Sequence, residues 1–236
     1  MKGRTVTLHS IPAQKCLPTY MVIDASGSMQ PHTHVLNDTL SWLYDSVRDS
    51  PRVSEFAHIS LIAFASQATL LIPMADLEDV DEMPGIGCGG ATDYGAAFRL
   101  LRDRIQVDVD DLLDQRRGVL RPVVFLLTDG VPTDQNWELE FKRLVDPAWG
   151  RRPHVIAYGI GNAQAEVLQR VSTLPSFLAN GQQGTEQALV EALSGMLNSL
   201  IASSRGGELL VPTTASGFDR QEVYPEYQRL NTEFMQ

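Results

Sequence analysis

The sequence predicts an α/β fold, with a mostly parallel central sheet, one antiparallel edge strand and helices on both faces. Three observations lead there. Short β-rich apolar runs alternate with stretches of helical periodicity over most of the 236 residues, the pattern of βαβ units around a parallel sheet. Two of the runs, 59–65 and 68–72, lie too close together for a parallel crossover and must pair antiparallel, which puts a hairpin at one sheet edge. The composition, 43% hydrophobic and 20% charged, is that of a globular protein. A chain of this length buries roughly 70–75% of its unfolded surface without disulfides or a structural metal, so one full-sized domain is expected.

In chain order, the first core strand spans residues 19–24. Leu36, Leu40, Leu43 and Val47 then step by four, three and four along one face of a helix. The hairpin strands are 58–65 and 68–72. The long apolar stretch 59–74 is broken by Ser66, Gln67 and Thr69, which makes it a strand pair and not a membrane span. Phe98, Leu101 and Ile105 mark a second helix, and the charged segment 108–121, with Gly118, reads as a surface loop carrying at most a helical turn. Next come a strand at 123–128, a helix with Trp137, Phe141 and Leu144 on its inner face, a strand at 155–160 and a short helix near 163–170. Leu189, Leu193, Met196 and Leu200 form a long final stripe. All these stripes are core packing and imply no cofactor. Periodicity stops after Ser203. The tail carries Gly206, Gly207, Pro212, Gly217 and Pro225, with enough apolar content in Leu209, Phe218, Tyr224 and Tyr227 to leave docking and disorder both open.

Charge and cysteine content narrow the function. With 19 Lys and Arg against 29 Asp and Glu, the net charge of −10 repels phosphate backbones and anionic lipid, so neither nucleic acid nor membrane is expected as a partner. Lys2 and Arg4 are followed by no apolar segment of the kind a secretory signal needs, and a cytoplasmic protein is expected. Cys16 and Cys88 are then two free thiols, too few for a thiolate zinc site.

Oxygen-bearing residues gather at three places. The first strand runs into Asp24-Ala25-Ser26-Gly27-Ser28, so Asp24, Ser26 and Ser28 alternate where the chain leaves the sheet. That is where open α/β sheets bind ligands. The glycine-dense loop 85–93 ends in Thr92 beside the start of a helix. Asp129 closes the most apolar strand in Thr128-Asp129-Gly130. Asp24, Ser26, Ser28, Thr92 and Asp129 together offer five hard oxygens suited to octahedral Mg²⁺ at about 2.0–2.1 Å, with Mn²⁺ also accommodated. If the carboxylates act through water while the hydroxyls bind directly, the ion stays electrophilic and an anionic group of another molecule can take an open position.

The DASGS run, the Gly-rich loop ending in Thr92 and the TDG after a hydrophobic strand resemble a von Willebrand factor A domain over residues 17–203, leaving an N-terminal segment 1–16 and a tail 204–236. The resemblance implies a Rossmann-like fold and a metal-ion-dependent adhesion site. Ser26, Ser28 and Thr92 would bind the cation, Asp24 and Asp129 would hold it partly through water, and a partner's acidic side chain would complete the shell. The stretches GGATDYGAAFRLLRDRI and VVFLLTDGVPTD are most similar to bacterial tellurite-resistance TerY-type proteins, often associated with phosphorylation systems. That similarity implies an intracellular scaffold or adaptor in a stress-response or phosphorylation-linked complex, with a kinase or phosphatase among its partners. The zinc ribbon of some such proteins has no counterpart, since only Cys16 and Cys88 exist.

Other readings compete. Asp24 and Asp129 would each alone be taken as strand-end carboxylates capping backbone amides. His32 and His34 have metal-compatible spacing but no third ligand, and read as a solvated loop. Gly159 and Gly161 follow a strand but lack the third glycine of a dinucleotide fingerprint. Glu222, Glu226 and Glu233 are solvating charges of the tail. The main functional rival is a Mg²⁺-dependent phosphohydrolase or phosphoacceptor using Asp24. Against it, Ser26 stands where the haloacid-dehalogenase arrangement wants a second carboxylate, and the three lysines, Lys2, Lys15 and Lys142, include none at a later strand end. A third possibility is a structural subunit whose metal site is a relic.

Overall fold

The computed structural model describes residues 14–115, 117–211 and 216–232. Its centre is β1 (Lys15–Asp24), buried at nine of ten positions, as a strand covered on both faces must be. On one side β1 pairs in parallel with β2 (Ala57–Phe64), which turns back into β3 (Ala68–Ala75) as the expected antiparallel hairpin. On the other side β1 first meets the two-residue β4 (Gly118–Val119) through Lys15 and Cys16, then β5 (Val123–Thr128) from Thr19 onward. Pro18, which has no N–H to give a ladder, falls in the gap between those two partners. The sheet continues in parallel through β6 (His154–Gly159) and β7 (Ser176–Ala179), and ends in the antiparallel β8 (Phe218–Gln221).

Strand alternation divides the core in two. Met21, Ile23, Phe125, Leu127, Ile156 and Tyr158 face one layer, while Tyr20, Val22, Val124, Leu126, Val155 and Ala157 face the other. The first layer is covered by α1 (Thr33–Arg48), the short α2 (Pro51–Phe56) and the long α6 (Thr185–Gly206). The second is covered by α3 (Tyr94–Asp114), α4 (Trp137–Leu144) and α5 (Ala165–Arg170), joined by α7 (Pro225–Thr232). Every helical stripe read from the sequence lies on a buried face.

Two expectations change. Segment 108–121 is not a loop from its start, because α3 continues to Asp114 and carries Val109 and Leu112 into the core on the line set by Leu101 and Ile105. Asp108 interrupts that line with a charge, yet it is buried, accepting a hydrogen bond from the Tyr20 hydroxyl at 3.0 Å and pairing with Arg104 one turn earlier. In the tail, docking prevails over disorder for the described part. Strand β8 extends the sheet at the edge opposite the hairpin, and Tyr227 packs edge-on against Phe141 with centroids 5.4 Å apart. Pro212 and Glu233 lie outside the described residues. Cys16 and Cys88 are free thiols. Among the described residues no helix is long and apolar enough to cross a membrane.

Candidate functional site

Strands β1 and β5 run side by side with Ile23 opposite Leu127, so Asp24, Thr128 and Asp129 leave the sheet at one edge. Asp24 is wholly buried. Its Oδ1 accepts the Ser26 amide at 2.9 Å and its Oδ2 accepts the Thr128 hydroxyl at 2.7 Å. The hydroxyls of Ser26 and Ser28 are 3.1 Å apart, and Ser28 Oγ donates to Asp129 Oδ1 at 2.7 Å. Asp129 is only 4% exposed, whereas Gly27 and Ser28 are exposed, so the cluster opens to solvent at the turn between the two serines.

The Gly-rich loop is stitched to that turn by main-chain bonds. Gly89 N–H donates to the Ala25 carbonyl at 2.8 Å, and the Gly90 carbonyl accepts Gly27 N–H at 3.0 Å. Gly90 has φ +88°, and a Cβ there would come within 2.6 Å of Ser66 Oγ, so both backbone conformation and space demand glycine. Two residues on, Thr92 is 7% exposed and is held through its backbone by Thr133. Asp93, the N-cap of α3, accepts the Ala96 amide at 2.7 Å. Thr92 therefore sits beside a helix start, as its spacing predicts.

The electrostatics at this edge are one-sided. Burial pushes the Asp24 carboxyl above the ordinary carboxylate range; hydrogen bonds from Ser26 and Thr128 pull it partly back, and the charge of Asp129 pushes it up again. Among the described residues no cationic group is among those influences. Two buried carboxylates without a cationic partner are costly in a protein interior, and a divalent cation among them would relieve that cost. The donor set is all oxygen, which suits a hard ion. Among the described residues no three His, Cys, Asp or Glu side chains gather as a metal site, so an ion held here would depend on hydroxyls as well as the two carboxylates.

Four of the five sequence-predicted residues are thus joined by direct hydrogen bonds or a shared turn. The Thr92 hydroxyl stands outside that network, although its loop is bonded to the turn. Sequence reasoning missed Thr128 and Tyr94. The buried Tyr94 hydroxyl donates to Thr128 Oγ1 at 2.8 Å, extending the support of Asp24 to the first residue of α3. The signal for Thr128 was its place beside Asp129 at a strand end; Tyr94 had none, because its partner is 34 residues away. His34 is an exposed side chain paired with Asp38, and His32 lies 3.6 Å from Glu186. Neither joins the cluster. At Gly159 a Cβ would meet Leu168 at 2.5 Å, so that glycine serves helix packing.

A doubly wound α/β sheet with a polar crevice at the carboxyl ends of its central strands defines the class. The chain belongs to the von Willebrand factor type A domain family, whose model matches residues 20–191. Among solved structures it is similar to the pilus adhesin SpaC from Lactobacillus rhamnosus GG in its open conformation, at 15% identity and TM-score 0.61 over 80% of this chain and 31% of that one. Proximal thread matrix protein 1 from the mussel byssus, in a form with a zinc-occupied MIDAS motif, matches at 17% identity and TM-score 0.57 over 80% of this chain and 49% of that one. A von Willebrand factor type A protein from Catenulispora acidiphila matches at 15% identity and TM-score 0.56, over 79% and 43%. The chain thus spans about half or less of the length of these relatives. No curated protein matches its sequence.

Proposed function

We propose that this protein is a metal-dependent protein-interaction module whose crevice holds a divalent cation and, with it, an acidic side chain of a partner. Ser26, Ser28 and Thr92 would bind the ion directly, and Asp24 and Asp129 would hold it partly through water. Mg²⁺ is the expected ion, with Mn²⁺ accommodated; the zinc in the byssus protein's motif makes Zn²⁺ a third ion to compare. Bound there, the ion supplies an electrophilic point that a carboxylate can reach. The chain's own part is to fix that point. Thr128 and the Ser26 amide orient Asp24, Ser28 orients Asp129, and the exposed turn at Gly27 and Ser28 leaves the approach open.

The observation that carries this reading is the pair of buried carboxylates joined through serine hydroxyls with, among the described residues, no cationic side chain to balance them. The motif similarity to TerY-type proteins supports the finer proposal of a cytoplasmic scaffold or adaptor in a bacterial stress-response or phosphorylation-linked complex, with a kinase or phosphatase as partner. The phosphohydrolase alternative fares worse. Asp24 is wholly buried, with each carboxylate oxygen held by a hydrogen bond, so it is not presented to a substrate, and Lys15 is bonded to the Gly207 carbonyl far from the crevice.

A pull-down from native lysate in Mg²⁺ against EDTA, with wild type beside Asp24→Ala, tests the proposal. The expected result is a set of proteins retained only by the metal-loaded wild type. Retention unaffected by chelator and by the substitution would leave the site a relic, and hydrolysis of a generic phosphoester abolished by Asp24→Asn would make the protein an enzyme.

A further inference from the structure

Opposite the metal crevice, at the amino ends of β5 and β6 and roughly 20 Å away along the strands, the fold forms an open-mouthed cavity of about 710 Å³. That volume is in the range of small-molecule sites. Its walls are largely aliphatic, with Val109 and Leu113 from α3, Leu120 from the end of β4, and Leu174 from the turn before β7. Into this apolar space the β5–β6 register brings a group of cations. Val123 pairs with His154, so Arg121 and Arg152, each two residues upstream, lie side by side. Arg121 Nε donates to the Arg152 carbonyl at 3.0 Å and its Nη2 to the Pro153 carbonyl at 3.1 Å, which fixes the guanidinium at the cavity wall. Burial, and then the neighbouring charge of Arg152, pull its pKa down to about 10.

Among the described residues no Asp or Glu lines this cavity. Arg151 is paired with Asp110, but among the described residues Arg121 forms no ion pair and the buried Nδ1 of His154 has no hydrogen-bond partner. In a chain of net charge −10, a cavity of this sign is a local exception. The Arg121 guanidinium, bonded only to backbone carbonyls in a largely apolar pocket, costs free energy until an anion joins it, and the aliphatic walls suit the hydrocarbon part of an organic anion. Both features are met by one ligand chemistry.

We propose that this cavity binds a small amphipathic organic anion, with its carboxylate at Arg121 and His154 and its hydrocarbon body against Val109, Leu113, Leu120 and Leu174. Decanoate is the probe, titrated calorimetrically into the full chain, with decanol and inorganic phosphate as separate arms. One decanoate per chain is expected, with decanol bound at least roughly tenfold more weakly for want of a charge-assisted hydrogen bond and phosphate weaker still. Arg121→Gln should weaken decanoate at least roughly tenfold. Because Arg121 also ties down two carbonyls, Leu113→Glu provides an independent variant. Leu113 is 44% exposed, so the change sets a carboxylate at the cavity wall without disturbing the core, and decanoate should again bind several-fold more weakly. Leu139→Glu, on an exposed position of α4, and the double variant Ser26→Ala/Ser28→Ala should leave it unchanged. No uptake by the wild type, equal affinity for decanol or for phosphate, or uptake that survives both Arg121→Gln and Leu113→Glu would overturn the proposal.

Discussion

The two ends of the central strands bury opposite charge in opposite company. At the carboxyl ends, Asp24 and Asp129 are surrounded by the hydroxyls of Ser26, Ser28 and Thr128. At the amino ends, Arg121 and Arg152 stand among aliphatic side chains, with His154 beside them. Among the described residues neither Asp24 nor Arg121 forms an ion pair, yet the chain has acids and bases in plenty and pairs them elsewhere, as at Arg170 with Glu138 and Glu166. The difference in company indicates what each end is built to take. Hydroxyls can share a hard cation, while aliphatic walls can only shelter an organic body.

The largest effect that separates the ends comes from the cation. At a thousandfold excess over its Kd, a divalent ion should add about 4 kcal/mol of stability, a rise in Tm of roughly 8–16 °C for a chain of this size. Differential scanning fluorimetry with and without EDTA should show that rise in wild type and none in Asp129→Asn/Ser28→Ala, while Leu113→Glu, at the other end, should keep it. An equal rise in all three proteins would break the comparison.

A smaller effect isolates the support of the negative end. Thr128→Val removes the hydroxyl that donates to Asp24 Oδ2 while keeping the β-branched shape, and should cost about 2–3 kcal/mol in denaturant unfolding, the worth of a hydrogen bond to a buried charge. Thr128→Ser should restore most of it. A neutral Thr128→Val would mean that Asp24 has no need of this partner.

The positive end should report itself through pH. Burial first, then the charges of Arg121 and Arg152, hold the His154 imidazole down to about 3. Its folded pKa is below the unfolded value of about 6.5. The stability it contributes is therefore complete above pH 6.5 and is lost as pH falls from there toward 3, by about 2 kcal/mol at pH 5. Measured by urea unfolding, His154→Gln should flatten that acid slope. His58, lowered in the same direction by its own burial, should leave a residual slope behind. An unchanged slope in His154→Gln would place the acid sensitivity elsewhere.

Legibility in the sequence also differs between the ends. Asp24, Ser26, Ser28 and Asp129 could be found because they follow apolar strands at fixed offsets, so strand alternation and the rule that ligands gather at carboxyl ends were enough. Tyr94 was not, because its contact with Thr128 crosses 34 residues and depends on how α3 settles on the sheet. The cluster of Arg121, Arg152 and His154 was likewise hidden, since only the β5–β6 register makes those residues neighbours. Among the elements, long periodic helices and the five longer strands could be read. The end of α3 could not, because buried Asp108 looks like a solvated charge until Tyr20 and Arg104 are seen beside it. Strands β7 and β8 have four residues each, too few to show a period, and β8 gains its identity only by pairing with β7.

The central claim is that Asp24, Asp129 and the hydroxyls around them take up a divalent cation. Calorimetric titration of Mn²⁺ into the metal-free full chain, beside the Ser26→Ala/Ser28→Ala double variant, addresses it most directly. The account predicts one ion per wild-type chain, competed by Mg²⁺, and none in the double variant. Absence of uptake by the wild type, or equal uptake by both proteins, would contradict it.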